Sequence, residues 1–421
     1  MKNLIKKIAR KMMSIWEANN RQNLRQNVKK AGEATQPKGK IRNKKTDTLT
    51  SQLGNLLSAH YEFRFNLITR QNEYRTVGEG MEHFTAVGQR ELNTICIEMR
   101  QQGIDCWDRD LARYVNSSFI HSYHPFRLYM EELPAWDGVD RLNDLGQRVS
   151  SSDYWVVYFH RWMLAMAAQW MGMNREYANS MAPLLISKTQ GWHKSTFCKS
   201  LLPGSLQAYY TDQINLSGSA MEGKLALMGL INLDEFDRLS SRQMAQLKNL
   251  MQMSVVNMRR AYQKNYQVLP RIASFIGTSN RKDLLTDPTG SRRFICIEVM
   301  HPIDCTHIDL TQIYAQLKAE ILSGERYWFT SEEEAEIQKH NQPFYQSTPE
   351  EELFQTHFRA AGPDDTAELL SLADILETLR IHHKGMIRNL NLSRFGNALV
   401  VSGVERVHTK LGNRYRVVRL G

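Results

Sequence analysis

The chain has 421 residues, of which 42% are hydrophobic and 23% charged, a composition typical of a globular protein of two or three modules rather than a fibre or a wholly disordered chain. The longest apolar stretch, at residues 155–173, is interrupted by His160 and Arg161, which argues against a membrane-spanning helix. The five cysteines form no CxxC pair and are odd in number, which argues against a disulfide framework or a zinc knuckle and favours a reducing cytoplasm.

The net charge of +10 is concentrated at the start of the chain. Residues 1–45 contain 14 of the 54 lysines and arginines but only Glu17 and Glu33 among the acids, so the other 376 residues hold 40 basic and 42 acidic side chains. This basic tail either contacts nucleic-acid phosphates or is a solvated leader. Residues 1–16 also resemble a membrane-surface helix, and they lack the features of a secretory signal.

Further along the chain, residues 1–50 are interpreted as tail and linker, and folded sequence begins near Leu53. The region 51–150 is expected to be mainly helical, with a hairpin pattern at 63–77 and helical patterns at 89–102 and 108–116. From residue 154, helix-length stretches alternate with buried-strand candidates at 182–187, 225–233, 273–277 and 294–299. This alternation predicts an α/β fold, with a helix-covered sheet in a domain at 151–345 and a small module at 346–421.

The segment APLLISKTQGWHKSTF at 182–197 follows the physical plan of a P-loop. A short apolar strand leads into a polar turn, and Lys194 then opens a helix. In such a loop the backbone N–H groups hold phosphates, the lysine places a positive charge at the β and γ groups, and the next hydroxyl residue ligates Mg²⁺. The predicted phosphate and metal contacts are Gln190, Gly191, Lys194, Ser195 and Thr196.

The match to the pattern G-x-x-x-x-G-K-[ST] is incomplete, because Lys188 and His193 occupy both glycine positions. Glycine serves there because it tolerates a positive φ and close approach by phosphate. Either the loop geometry has shifted or nucleotide binding is weakened. For this segment alone, an ordinary strand-turn-helix with an exposed lysine is an equal alternative.

A second strand candidate ends in paired carboxylates, Asp234 and Glu235. At the carboxyl edge of a sheet, beside a phosphate turn, Asp234 is expected to enter a Mg²⁺ shell, and Glu235 to orient an attacking water. The alternative is a solvated acidic strand end, which many α/β proteins have. The combination with the phosphate turn favours the catalytic interpretation.

A third strand candidate ends in Asn280, whose amide is expected to contact both the γ-phosphate and the attacking water. Arg292 and Arg293 follow in a turn, and either of them is expected to reach the nucleotide of a neighbouring subunit. Singly, such residues are more often a turn asparagine and surface charges. However, they follow, in order along the chain, the strand that leads to Lys194 and the strand that ends in Asp234 and Glu235. This order is hard to obtain by accident.

These motifs resemble the virulence-associated protein E family, whose ATPase core is related to superfamily III helicases of the AAA+ class. The resemblance covers about residues 65–299, and its most specific parts are YHPFR at 123–127, WDGVDR at 136–141, the phosphate turn, LDE at 233–235, GTSN at 277–280 and TGSRRF at 289–294. It implies the same roles for these residues, ATP and Mg²⁺ as cofactors, and glycines where this chain has Lys188 and His193. Members often carry a primase module, for which residues 51–150 offer neither the length nor a carboxylate cluster, so any primase is expected to be a separate partner.

The resemblance also implies a DNA-gripping hairpin at 255–271, with Lys264 at its tip and Arg259 and Arg260 on its flanks. The alternative is a surface hairpin with a charged tip. At the C-terminus, helices at 368–380 and 392–401 precede a strand pair joined at 411–413, similar to a winged-helix domain. Its expected DNA contacts are Arg394, Arg406, Lys410, Arg414 and Arg416, unless these charges are merely solvated.

The leading hypothesis is an ATP-driven DNA helicase or translocase, a ring and most simply a hexamer, that acts on single-stranded or forked DNA in the replication of a phage or mobile element. The alternative is a DNA-binding initiator or assembly platform whose ATPase site is impaired by Lys188 and His193. Recruitment to a membrane through residues 1–16 is a third, less favoured possibility.

Overall fold

The computed structural model describes residues 49–78, 83–173, 177–213, 216, 219–258, 267–285, 291–346, 349–382, 392–410 and 412–420. The basic tail at 1–48 lies outside these ranges. The fold is mixed α/β, with helices packed on several sheets. Within the described ranges, no helix has the length and apolar content needed to cross a bilayer.

The first region combines five helices with a four-stranded sheet. Its elements are α1 Leu49–His60, β1 Tyr61–Asn66, β2 Asn72–Thr76, β3 Thr85–Ala86, α2 Gln89–Gln101, α3 Asp108–Val115, β4 His121–Tyr123, α4 Pro125–Glu132 and α5 Arg141–Gln147. The predicted hairpin and the two predicted helices are confirmed within one or two residues. The sheet order is β3-β2-β1-β4. Helices make up most of the regular structure of the region, as predicted, but the sheet has two strands more than the predicted hairpin.

The sequence indicated only the hairpin of this sheet, and the strand β4 was missed because its partner β1 is distant in the chain. Strand β4 runs parallel to β1, with Tyr123 opposite Asn66, although the two residues are 57 positions apart. Only three residues of β4 take part, too few to show an alternating pattern. One apolar cluster joins α1, α2 and α3 to this sheet, and it includes Leu57, Met99, Leu111 and Tyr61.

The central region contains a five-stranded parallel sheet, covered on both faces. Its elements are α6 Asp153–Trp170, β5 Ala182–Ile186, α7 Lys194–Ser200, β6 Tyr210–Thr211, α8 Ser219–Leu227, β7 Leu230–Leu233, α9 Ser241–Gln252, β8 Val255–Met258, β9 Gln267–Pro270, β10 Ser274–Ser279, β11 Phe294–Glu298, α10 Leu310–Ser323 and α11 Ser331–His340. The order is β11-β5-β10-β7-β6, and every pairing in it is parallel.

This strand order decides which groups meet at the carboxyl edge of the sheet. Strand β10 lies between β5 and β7, with Gly277 opposite both Leu184 and Leu233. The segments that follow these three strands therefore emerge side by side. The two faces of the sheet are buried in separate apolar clusters, one around Leu185 and the other around Leu184.

The predicted strand at 225–233 is wrong in its first half. Residues up to Leu227 belong to α8, and the strand β7 begins only at Leu230. The stretch before Gly229 is rich in alanine, leucine, methionine, glutamate and lysine, which favour helix. Gly229 separates the two elements and packs so closely that a Cβ there would overlap the ring of Phe126.

The last module is a small sheet packed against three helices. Its elements are α12 Pro349–His357, β12 Phe358–Ala360, β13 Glu368–Leu370, α13 Leu372–His382, α14 Leu392–Val401, β14 Glu405–Thr409 and β15 Gly412–Arg419. Strand β15 pairs with β12, β13 and β14. The predicted terminal hairpin and second helix are confirmed, whereas residues 368–370 form a strand instead of the start of the first helix.

Candidate active site

In the turn after β5, one of the two residues at the missing glycine positions has a left-handed backbone conformation. Gly191 has φ 78°, and His193, directly before α7, has φ 59°. A side chain in this left-handed region costs roughly 1–2 kcal/mol, so His193 adopts at some cost the conformation that glycine adopts freely. Lys188, at the other glycine position, is exposed and does not line the cleft that this turn borders.

Lys194 is held at the junction of the turn and the sheet. Its side chain folds back so that Nζ donates to the carbonyl oxygen of Ser187 at 3.1 Å and to Oδ1 of Asn280 at 3.0 Å. Only 8% of the residue is exposed. Burial lowers the pKa of Lys194, and the negative charges of Asp234 and Asp237 oppose that effect.

Asp234 follows β7 and accepts hydrogen bonds from two neighbouring elements. Ser195, on the first turn of α7, donates its Oγ to Oδ1 of Asp234 at 3.0 Å. The hydroxyl of Thr278, on β10, donates to the same oxygen. The serine and the carboxylate that sequence analysis assigned to one Mg²⁺ site are therefore in direct contact.

Glu235 adopts a left-handed backbone conformation, with φ 52°. It precedes the short 3₁₀ helix Phe236–Arg238, and its Oε2 forms an ion pair of 2.6 Å with Nη1 of Arg238. Non-glycine residues with positive φ concentrate at functional sites. Of the four that the described ranges contain, His193 and Glu235 both lie here.

These groups surround one cleft of about 410 Å³, a volume within the range of small-molecule sites. Its lining comprises Gln190, Gly191, Trp192, His193, Lys194, Ser195, Thr196, Asp234, Glu235, Thr278 and Asn280. The structure thus brings together all the phosphate, metal, water and sensor residues that were singled out after β5, β7 and β10.

The donor set fits Mg²⁺. A serine hydroxyl and a carboxylate are oxygen ligands, which Mg²⁺ prefers, and Mg²⁺ is usually bound through one or two carboxylates together with substrate phosphates. No cluster of three or more histidine, cysteine or acidic side chains capable of holding a metal occurs in the described ranges. Any ion at Asp234 and Ser195 would therefore complete its shell with waters and phosphate oxygens.

Arg292 and Arg293 do not line this cleft. They precede β11, whose first residue lies opposite Ala182 at the start of β5, so they occupy the edge of the sheet remote from the phosphate turn. Arg292 is paired with Glu334 at 3.3 Å. A role toward the nucleotide of the same subunit is excluded by this placement, whereas the role toward a neighbouring subunit stays a prediction.

The stem of the expected DNA hairpin is present as β8 and β9, paired antiparallel from Val255–Pro270 to Met258–Gln267. Arg259, Arg260 and Lys264 lie outside the described residues. At the base of the stem, Arg271 is fully buried, and burial lowers its pKa to about 9. Its guanidinium donates to the carbonyl oxygens of Met251, Ala273 and Asn179, which ties the hairpin to the core.

The basic residues of the terminal hairpin do not form a single face. Arg406 is the cross-strand partner of Tyr415, which is buried against the helices, so these two side chains lie on the same face of the sheet. The side chains of Arg414 and Arg416 lie on the other face. Ion pairs join Arg414 to Asp374 at 3.0 Å and Arg416 to Glu405 at 3.4 Å. Arg406 and Lys410 are exposed, and no described residue forms an ion pair with either. The side chain of Arg394, on α14, is not among those described.

Sequence reasoning missed two groups at the site, the Thr278 hydroxyl and the Ser187 carbonyl. Ser279 donates to Asp237 at 2.8 Å, on the face of β10 opposite to Thr278. The available signal was the run Gly-Thr-Ser-Asn at 277–280, in which two consecutive hydroxyls at a strand end must point to opposite faces.

Comparisons with solved structures give low scores. The apo structure of the NrS-1 C terminal region (305–718) has a TM-score of 0.45 and 13% identity, covering 90% of this chain and 100% of that one. An A form apo structure of the same region gives 0.44 and 12%, with 89% and 99% covered. No curated protein matches the chain.

Family models match two parts of the chain. Residues 347–417 match a domain of unknown function, DUF3874, described from a B. Theta gene. Residues 130–346, more than half of the 421, match the virulence-associated protein E-like domain and include every residue of the cleft. The chain therefore belongs to the virulence-associated protein E-like family.

Proposed function

We propose that the protein is an ATP-driven DNA motor, a helicase or translocase, that acts in the replication of a phage or mobile element. The observation that carries the proposal is the convergence, in one cleft, of Lys194, the Ser195–Asp234 pair, Glu235 and Asn280. An ammonium group, a pair of oxygen ligands, a carboxylate base and an amide are the groups that phosphoryl transfer to water requires. Membership of the virulence-associated protein E-like family agrees with a P-loop ATPase core of the AAA+ type.

In this proposal the chain binds the triphosphate through the turn and Lys194. The backbone N–H groups of Gln190 to Lys194 face the phosphates, together with the lysine ammonium. The hydrogen bonds from Nζ to Ser187 and Asn280 fix the ammonium before substrate arrives, so little ordering remains to be done on binding. Ser195 and Asp234 hold Mg²⁺, which neutralises charge on the phosphoryl oxygens.

In this proposal hydrolysis depends on Glu235, which orients the attacking water and accepts its proton. The ion pair with Arg238 occupies only part of the carboxylate, which has about four acceptor positions in all. Asn280 is already bound to Lys194 through Oδ1, so the amide nitrogen remains as a donor for the γ-phosphate or the water. After hydrolysis this nitrogen would lose its acceptor. The loss of that hydrogen bond at the end of β10 would signal that the γ-phosphate is no longer attached.

The motor proposal includes a ring, most simply a hexamer, because Arg292 and Arg293 lie at the edge of the sheet remote from their own cleft, where we expect the nucleotide of a neighbouring subunit. DNA would be contacted by the hairpin between β8 and β9 and by the last module, whose helices and terminal hairpin agree with a winged-helix domain. Any primase would be a separate protein.

The decisive experiment is ATP hydrolysis by the full chain, with and without single-stranded DNA, combined with the native mass. The proposal expects DNA-stimulated hydrolysis that is lost in Lys194→Ala and in Glu235→Gln, and a mass of several subunits. Full activity in either variant would remove the mechanism. A DNA-binding initiator or assembly platform remains the second candidate, since two loop glycines are replaced, and an absence of ATP·Mg²⁺ binding at millimolar concentration would favour it.

A further inference from the structure

The Thr278 hydroxyl is buried beneath the carboxylate that sequence analysis assigned to Mg²⁺. Thr278 is 4% exposed, and its Oγ1 donates to Oδ1 of Asp234. Ser195 donates to the same oxygen at 3.0 Å. One carboxylate oxygen thus receives two hydroxyl hydrogen bonds from different elements, whereas Oδ2 accepts none from the described residues.

The pairing of the strands explains why these two side chains meet. Strands β7 and β10 are parallel neighbours, with Leu233 opposite Gly277. Asp234 and Thr278 are the next residues on each strand, so they project from the same face of the sheet. On its other side Thr278 lies opposite Leu185 of β5, which fixes the position of its backbone.

A carboxylate at the exposed end of a strand is otherwise free to rotate. Two donors on one oxygen restrict its orientation before any metal is present. Groups that hydrogen-bond to a metal-ligating side chain orient the ligand, and their removal typically lowers metal affinity ~10–100-fold. Ser195 cannot take this role alone, since its hydroxyl is itself expected to turn toward the ion.

We propose that Thr278 is a positioning residue, which holds the Asp234 carboxylate in its metal-binding orientation and so sets the Mg²⁺ affinity of the site. This inference rests on the proposed function. Thr278 acts through Asp234 and is assigned no contact with the reacting atoms.

The chain supplies a matched control on the same strand. Ser279 is 1% exposed, and its Oγ donates to Oδ1 of Asp237 at 2.8 Å. It therefore resembles Thr278 in burial, in chemical group and in its aspartate acceptor. It differs in that it faces the other side of the sheet, does not line the cleft and does not touch Asp234.

The test measures the Mg²⁺ concentration for half-maximal binding of a fluorescent ATP analogue by the full chain. We expect Thr278→Val, which keeps the shape but removes the hydroxyl, to raise this concentration ~10–100-fold. Thr278→Ser, which restores a hydroxyl, and Ser279→Ala, which removes the control hydroxyl, should both stay near the wild-type value. Thermal unfolding without ligand shows that each variant is folded.

Two results would overturn the inference while leaving the proposed function intact: a wild-type Mg²⁺ midpoint in Thr278→Val, or an equal rise in Ser279→Ala. If Thr278→Val fails to fold, Thr278→Ser decides the question together with Thr278→Cys, because a thiol is a weak donor and should give an intermediate rise. If wild-type protein shows no Mg²⁺-dependent nucleotide binding, the proposed function fails and the inference falls with it.

Discussion

Lys194 and Asn280, 86 residues apart in the chain, are joined by a hydrogen bond of 3.0 Å from Nζ to Oδ1. The contact exists because β10 is inserted between β5 and β7, which places the end of each strand beside the next. An ammonium group, an amide and a pair of carboxylates consequently share one edge of the sheet. Substitutions at these positions should therefore separate nucleotide binding from hydrolysis.

Replacing Glu235 should leave binding in place and remove hydrolysis. Glu235→Gln keeps the shape and the cleft but loses the base, so we expect ATP binding to persist while hydrolysis falls ~10²–10⁴-fold. Lys194→Ala should lose binding itself, because it removes the buried cation. Both are measured by nucleotide titration and by phosphate release with single-stranded DNA present.

A control for the charge change is Lys282→Ala. Lys282 is two residues beyond Asn280, is paired with Glu298 at 2.6 Å and does not line the cleft. It should retain binding and hydrolysis. Equal losses in Lys194→Ala and Lys282→Ala would indicate that general positive charge, and not the position of Nζ, holds the nucleotide.

Substituting His193 by glycine should stabilise the protein. Its φ of 59° is unfavourable for a side chain, so we expect His193→Gly to raise the free energy of unfolding by about 1 kcal/mol. Gly191→Ala, at φ 78° in the same turn, should lower it by a similar amount, about 1 kcal/mol. Urea unfolding of the two variants measures both effects, and a loss of stability in His193→Gly would contradict the argument from strain.

The stability of the protein should fall in mild acid because of His124. Burial, with a smaller effect of Arg127, lowers the pKa of His124 to about 4. Its Nδ1 accepts from the Arg127 N–H at 3.4 Å at the start of α4, which a protonated ring nitrogen cannot do. Above the ordinary pKa of about 6.5 the His124 ring is neutral in both the folded and the unfolded protein. Between pH values of about 6.5 and 4, only the unfolded protein binds a proton at this ring. The free energy of unfolding therefore falls by up to about 1.4 kcal/mol for each unit by which the pH is lowered.

The variant His124→Asn supplies the comparison for this pH dependence. Asparagine also accepts hydrogen bonds at a helix start but does not titrate. Urea unfolding of both proteins at several pH values from about 7.5 to 4.5 should show a steeper loss in the wild type. Parallel curves for the two proteins would rule out His124 as the cause.

In the last module, Arg406 and Lys410 should contribute more to DNA binding than Arg414 and Arg416. The first two are exposed, whereas the others are joined to Asp374 and Glu405. We expect the double variant Arg406→Ala/Lys410→Ala to weaken binding of DNA of any sequence. The slope of log binding constant against log salt concentration should become less steep by about one for each phosphate that is no longer neutralised. Fluorescence anisotropy at several salt concentrations measures both quantities.

Arg419→Ala is the matched control for this double variant. It removes a charge from the same strand as Arg414, at a residue paired with Glu368 at 3.1 Å. Per charge removed, Arg419→Ala should lower the DNA affinity and the salt slope less than the double variant does. Equal effects per charge would show that Arg406 and Lys410 are not specific DNA contacts.

The sequence was sufficient to predict the strand ends that form the cleft. Asp234 and Asn280 come directly after strands β7 and β10, whereas Lys194 follows β5 through a polar turn, and parallel strands present such segments at one edge. The conformation of His193 and the contact of Thr278 with Asp234 were not predictable in the same way. Both depend on backbone angles and strand register, which result from packing across the whole sheet.

Elsewhere, predictions failed where elements were short or paired over long distances. Strands β4, β12 and β13 have three residues each, too few for a periodic pattern. The start of β7 was misplaced because the helix α8 ends in the same apolar residues with which a strand could begin. The hydrophobic pattern therefore located the buried segments but did not separate their types.

The most direct test of the proposed nucleotide site is a titration of the full chain with ATP in the presence and absence of Mg²⁺, on wild type and Lys194→Ala. We predict saturable binding by the wild type that requires Mg²⁺, and none by the variant. Binding that is absent from the wild type at millimolar ATP, or unchanged in Lys194→Ala, would contradict the proposal.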